Sequence, residues 1–191
     1  FSDFRPDESV DTIINPSSIL NRMVSSVLPT IFGNKCIIEL KRRLQEIWTN
    51  GKELPARRKE MCTLIYKFFD ALDPTKDNTK KYKTMFDPMT DEKFKSFFTE
   101  FFNDPKHYLI LDMVDYERDV QIEYIEAAAK VIDIPLFEYL TLPHLTMDKD
   151  NPTVTKHKVP IGYLHLKRPQ QTVMKKNGLS VQADQRSAFT N

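Results

Sequence analysis

Two stretches of this chain carry side chains suited to phosphate chemistry. The first is DTIINPSSILNRM, residues 11–23, where a β-like run ends at Asn15-Pro16 and Arg22 follows. Proline disfavours helix in the residue before it, so Asn15-Pro16 sets a turn, with the Ser17 and Ser18 hydroxyls as turn or capping oxygens. Arginine presents a rigid, permanently charged fork that meets phosphate oxygens two at a time. The plainer reading of Arg22 is a charge on a helix surface. The second stretch is VPIGYLHLKRPQQTVMKKNGLSVQADQRS, residues 159–187, in which a hydrophobic strand delivers a basic, Gln-rich segment. Its Lys167, Arg168, Lys175, Lys176 and Arg186 suit contact with a nucleic-acid backbone, which gives sequence-independent and salt-sensitive binding.

The charge distribution points the same way. Net charge is +1, but residues 156–191 alone carry +6 and the preceding 155 residues carry −5. A basic segment on a mildly acidic body implies that one end meets a polyanion, the alternative being a solvated basic tail. Other catalytic signatures are missing. Gly33, Gly51, Gly162 and Gly178 are the only glycines, too scattered for a phosphate-binding loop. His107, His144, His157 and His165 have no zinc spacing and read as surface or packing histidines. There is no serine nucleophile elbow, and no Asp-x-Asp-x-Asp cluster to hold two Mg²⁺ ions. Asp148-Lys149-Asp150, beside Asn151-Pro152, reads as a turn. Cys36 and Cys62 fall in helix-like apolar patterns and read as buried free thiols of a reducing compartment.

With 40% hydrophobic and 29% charged residues the chain is of folded composition, and no apolar run approaches the ~20 residues needed to span a bilayer. The first residue is Phe1, which reads as the start of an internal stretch of a longer polypeptide; FSDFRPDES is acidic and polar, unlike a signal peptide. The elements that must position the two stretches form a mixed α+β fold with a helical middle. Residues 1–34 read as irregular, with a short strand over 10–14 and near-helical spacing over 19–31 interrupted by Pro29. Residues 35–48 place Ile37, Leu40, Leu44, Ile47 and Trp48 on one face, with Lys41, Arg42 and Arg43 away from it. Residues 58–72 place Met61, Leu64, Ile65, Phe68 and Leu72 on one face. Residues 91–102 carry Phe94, Phe97, Phe98 and Phe101 at i, i+3, i+4 and i+7, behind Thr90 as N-cap with Asp91 and Glu92 in the first turn. A stripe of that spacing is core packing rather than a base-stacking platform. The polar residues 73–90 read as a long loop, 108–113 as a strand, and 117–132 as either strand or helix, with Ala127, Ala128 and Ala129 favouring helix. Residues 136–142 form a short apolar segment between prolines, and 160–167 a strand.

Three stretches, in order, resemble the C-terminal part of the β-type (second-largest) subunit of multisubunit DNA-directed RNA polymerases. Ser2-Asp3-Phe4-Arg5-Pro6 and residues 11–23 are similar to the family's E-D-M-P-F/Y followed by D-I-x-x-N-P-x-x-x-P-S-R-M. Ile134-Pro135-Leu136-Phe137 resembles its T-P-V-F segment, and residues 159–167 resemble its V-x-V-G-Y-M-Y-x-L-K-L. The departures are Leu20 and Asn21 in place of Pro-Ser, and residues 169–176, which lack the acids of the family's H-L-V-D-D-K run. Such drift fits the divergent polymerases of large bacteriophages, whose β-type subunits are split between chains.

The resemblance implies a transcription function and a division of the chain: 1–34 as active-site segment, 35–132 as helical region, and 133–191 as strand and basic hybrid-binding segment completing a larger polymerase subunit. It implies that Arg22 reaches the triphosphate of the incoming nucleotide, and that Lys167, Arg168, Lys175, Lys176 and Arg186 lie near the RNA–DNA hybrid. The family's Mg²⁺-holding Asp triplet belongs to the β′-type partner, so this chain has no catalytic or metal residue of its own and is active only in complex. Its implied partners are the β′-type subunit, the remaining β-type chain, DNA template, RNA product and nucleoside triphosphates, with no membrane; its compartment is the cytoplasm, that of the host if viral. The alternatives are a non-catalytic nucleic-acid-binding module using the basic tail, or a structural virion protein.

Overall fold

The phenylalanine stripe lies at the centre of the fold. Phe94, Phe98 and Phe101 are fully buried, with Phe97 beside them at the edge of the core. The computed structural model describes residues 1–15, 17, 26–111, 121–146 and 151–165. Among these are five α-helices, α1 (Val27–Thr49), α2 (Leu54–Leu72), α3 (Asp77–Phe86), α4 (Asp91–Asn103) and α5 (Ile122–Val131), and a two-stranded antiparallel sheet of β1 (Phe137–Glu138) and β2 (Val159–Pro160). The fold is therefore helix-rich α+β. Helix α2 is the hub, because α1, α3, α4 and α5 all pack on it. No helix among the described residues is long and apolar enough to cross a membrane.

The expected helices are present, with longer starts where proline permits. Helix α1 begins at Val27, ahead of residue 35, and Pro29 does not interrupt it. Pro29 occupies the first turn, where backbone N–H groups have no intrahelical partner to lose. Pro55 plays the same part at the start of α2. Thr90 is the N-cap of α4, with Asp91 and Glu92 in the first turn; its side chain makes no cap hydrogen bond, and Asp91 instead pairs with Arg58 at 2.5 Å. Of residues 117–132, Ile122–Val131 is helix α5 and 117–120 lie outside the described residues; the small Ala128 and Ala129 are buried, and α5 packs on α1 and α2. The helix closes in a Schellman arrangement: Asp133 adopts φ 53°, its N–H reaches the Lys130 carbonyl at 3.3 Å, and the Ile134 N–H reaches the Ala129 carbonyl at 3.1 Å.

Several expectations are corrected. Residues 73–90 are not a long loop but contain α3, anchored by Asn78, Thr79, Tyr82 and Phe86, all buried. Tyr82 stacks on Phe69 at 4.6 Å and on Phe86 at 5.8 Å, and its hydroxyl donates to the Ile110 carbonyl at 2.6 Å. Ahead of α3 the Asp73 carboxylate accepts from Thr75 and Asn78; burial alone would push it up, but these bonds outweigh burial and hold its pKa at about 2. Residues 10–14 form no strand and leave Ile13 65% exposed, with no strand partner among the described residues. Residues 108–111 are likewise irregular, the Ile110 carbonyl being taken by Tyr82; 112 and 113 lie outside the described residues. Lys41 is buried rather than turned away from the core. Its ammonium donates to the Asp104 and His107 carbonyls, each at 2.7 Å, and sits 4.8 Å from the Phe101 ring. Both cysteines are free; Cys36 is buried and burial pushes its thiol up to about 12, whereas Cys62 is half-buried. Residues 148–150 lie outside the described residues.

Candidate functional site

Of the stretches singled out in the sequence, residues 2–6, 134–137 and 159–165 meet along the N-terminal half of α1; most of 11–23 lies outside the described residues. Phe1 and Thr141 exchange backbone hydrogen bonds, Ser2 bridges Leu140, and the Asp3 N–H donates to the Tyr139 carbonyl at 3.1 Å. On the other side of this run, Phe137 pairs with Pro160, Glu138 with Val159, and Thr141 with Val154. Residues 136–142 thus form the middle of a three-segment antiparallel arrangement, with chain residues 1–3 on one edge. Strand alternation turns Leu136, Glu138 and Leu140 inward and leaves Phe137 and Tyr139 exposed.

A buried carboxylate closes this arrangement onto the helix. Glu138, 2% exposed, accepts from the Ser2 hydroxyl and from the ammonium of Lys35, itself 3% exposed. Lys35 also donates to the Pro135 carbonyl at 2.6 Å. One turn further on, Glu39 is buried and accepts from Arg5 and, at 2.6 Å, from Arg42. Arg42 reaches on to Glu8, which also accepts from the Tyr163 hydroxyl at 2.6 Å. Two guanidiniums and two carboxylates therefore form one neutral chain. The hydrogen bond to Glu39 holds the Arg5 pKa up. Burial would raise Glu8, but the Tyr163 hydroxyl and the Arg42 charge outweigh it and lower its pKa. Burial, then the bond to Glu8, push Tyr163 up to about 12. These are settled charges that clamp residues 5–8 and 163 to α1.

Gly162 completes the junction. A Cβ built there would stand 2.5 Å from both the carbonyl oxygen and the Cγ2 of Ile31. The Asn34 amide donates to the Tyr163 carbonyl at 2.9 Å, and the Ile161 N–H donates to the Leu136 carbonyl at 3.2 Å. Residues 161–165 thus follow the helix instead of continuing as a strand through 160–167, which corrects that expectation for the described part. We expect Gly162→Ala to cost about 1–3 kcal/mol in urea unfolding, because helix backbone cannot step aside for a methyl. An unchanged unfolding midpoint would mean that residues 161–165 do not lie against α1.

The sequence-predicted site residues Arg22, Lys167, Arg168, Lys175, Lys176 and Arg186 all lie outside the described residues. The segments that lead to them, α1 from Val27 and residues 159–165, are in contact through Asn34, Gly162 and Ile31. Sequence reasoning missed Lys35, Glu39 and Glu138. The first two, with Arg42, fall at i, i+4 and i+7 of α1, a polar stripe that a buried ion network leaves in a helix. Among the described residues no group of three His, Cys, Asp or Glu side chains is arranged to hold a metal ion. Compared with family models, curated proteins and solved structures, the chain matches none.

Proposed function

We propose that this chain is the C-terminal part of a β-type subunit of a DNA-directed RNA polymerase, a nucleotidyltransferase active only with a β′-type chain. One observation carries the reading. Residues 2–6, 134–137 and 159–163, which belong to stretches resembling that family in order, converge on one helix through Arg5 with Glu39, the Pro135 carbonyl with Lys35, and Gly162 with Ile31, while most of 11–23 lies outside the described residues. Such convergence is what segments of a shared active-site scaffold require, since preorganised donors need rigid support.

In this reading Arg22 binds the phosphates of the incoming nucleoside triphosphate and offsets charge on the departing pyrophosphate. Lys167, Arg168, Lys175, Lys176 and Arg186 track the RNA–DNA hybrid. The partner chain supplies Mg²⁺, and transcription takes place in the cytoplasm, the host's if the protein is viral. Two experiments test it. The chain should co-purify with a large chain carrying an Asn-Ala-Asp-Phe-Asp-Gly-Asp-like motif. Within that assembly Arg22→Ala should raise KM for nucleotides or slow addition on the order of 10²-fold with little change in stability. Purification as a lone chain defeats the family reading; unaffected elongation by the variant defeats the role of Arg22.

A further inference from the structure

The outward face of α3 plays no part in the junction described above, yet its composition and placement are unusual. Asn78, Thr79, Tyr82 and Phe86 fix the inner face of this helix against the core. That fixes the outer face as well, where Lys76, Lys80 and Lys83 stand at i, i+4 and i+7, all exposed, with Lys81 and Thr84 alongside. We propose that this face is a docking surface for the phosphate backbone of a nucleic acid, separate from Arg22 and from the basic C-terminal segment.

Spacing supports the assignment. At ~1.5 Å per residue the three lysines span about 10 Å of helix axis, and one strand of a duplex presents a phosphate about every 3.4 Å along its axis. Asp77 pairs with Lys80 at 3.1 Å, but the two side chains are 52% and 72% exposed, and a pair so open to solvent contributes little. Lys83 lies 5.4 Å above the Tyr66 ring, which positions its stem without consuming its charge.

Lys76 adds an independent argument. It adopts φ 60° and ψ 19°, a left-handed conformation that Cβ crowding disfavours and that glycine or asparagine takes more readily. It also stands at the N-cap, where the helix dipole disfavours a cation, and its side chain makes no cap bond. A lysine kept where backbone and dipole both oppose it is explained by a ligand that needs its charge. Chemistry favours nucleic acid over an acidic protein as that ligand. Protein interfaces are anchored by apolar and aromatic side chains and are poor in lysine, whereas this face offers lysine and threonine with only Met85, 38% exposed, at its margin.

The test is binding of the full chain to a ~20-base-pair DNA duplex and to a single-stranded RNA, with affinity followed from about 50 to 200 mM salt. The variant Lys76→Gln/Lys80→Gln/Lys83→Gln should reduce the slope of log affinity against log salt by about 2–3 on at least the preferred nucleic acid. A matched triple, Lys59→Gln/Lys67→Gln/Lys130→Gln, removes equal charge at other exposed lysines, two of them lining a groove of about 530 Å³ between α1, α2 and α5. It should leave the slope at the wild-type value. Should the α3 triple lose helical content, Lys80→Glu alone carries the same comparison against Lys67→Glu. The proposal is overturned by an unchanged slope, by equal loss in both triples, or by failure of the wild-type chain to bind either nucleic acid.

Discussion

Replacing Glu138 by alanine should cost about 3–5 kcal/mol, among the largest losses of any single substitution in this chain. The carboxylate holds two partners in a site closed to water, the Lys35 ammonium and the Ser2 hydroxyl. Removing it leaves a buried cation bonded only to the Pro135 carbonyl, and a buried hydroxyl without its acceptor. The attraction within such a pair does little more than offset the cost of taking both charges out of water. The damage comes from the orphaned partner, so a second substitution should repair much of it. Lys35→Met combined with Glu138→Leu should recover most of the loss, because two apolar side chains of similar bulk need no solvation. Urea unfolding of the two single variants and the double variant checks this. A loss below 1 kcal/mol in Glu138→Ala, or a double variant no better than the worse single one, would contradict the buried pair.

The second large effect is Phe98→Ala, also expected near 3–5 kcal/mol. The Phe98 ring is fully buried and faces six aromatic neighbours: Trp48 at 6.1 Å, Phe86 at 5.7 Å, Phe94 at 4.5 Å, Phe97 at 5.2 Å, Phe101 at 5.7 Å and Phe102 at 5.8 Å. Aromatic walls of this kind cannot collapse into the space a ring leaves, so the cavity term adds to the lost transfer energy. Phe97, only partly buried, should cost clearly less when truncated, although the sequence places it in the same stripe. Thermal unfolding distinguishes the two. A base-stacking role for the stripe would show the opposite pattern, with stability kept and nucleic-acid affinity lost.

The aromatic stripe was legible in the sequence because its period matches a helix, and the same holds for the faces of α1 and α2. Helix α3 was not, because its inner face uses Asn78 and Thr79 beside Tyr82 and Phe86. Hydropathy scores those two as polar, while the i, i+4, i+8 spacing of Asn78, Tyr82 and Phe86 carries the helical signal. Lys41 was misplaced for a related reason: a lysine enters a core when carbonyls are aimed at its ammonium, and no local pattern announces carbonyls more than sixty residues away. At the junction, Gly162 and Tyr163 fall within the stretch 159–167 that the sequence marks out, and the close approach of Ile31 gives the glycine its physical reason. Glu8 and Glu138 could not be foreseen, since ion pairs between distant segments leave no period in the chain; Glu39 left only the polar stripe that it shares with Lys35 and Arg42.

The junction includes contacts between positions 129 to 155 residues apart, as in Asn34 with Tyr163 and Glu8 with Tyr163. Closing a loop of that size costs about 4 kcal/mol in chain entropy before any contact forms. The helices meet through much shorter loops. We therefore expect assembly to be ordered in time, the α2–α4 body gathering first and residues 1–8 being stitched in last, once residues 136–163 exist to receive them. The same order runs backwards under stress. Amides that bond Phe1, Asp3 and Thr141 should exchange with solvent before those of α2, and the junction along α1 should open while the aromatic body is still closed.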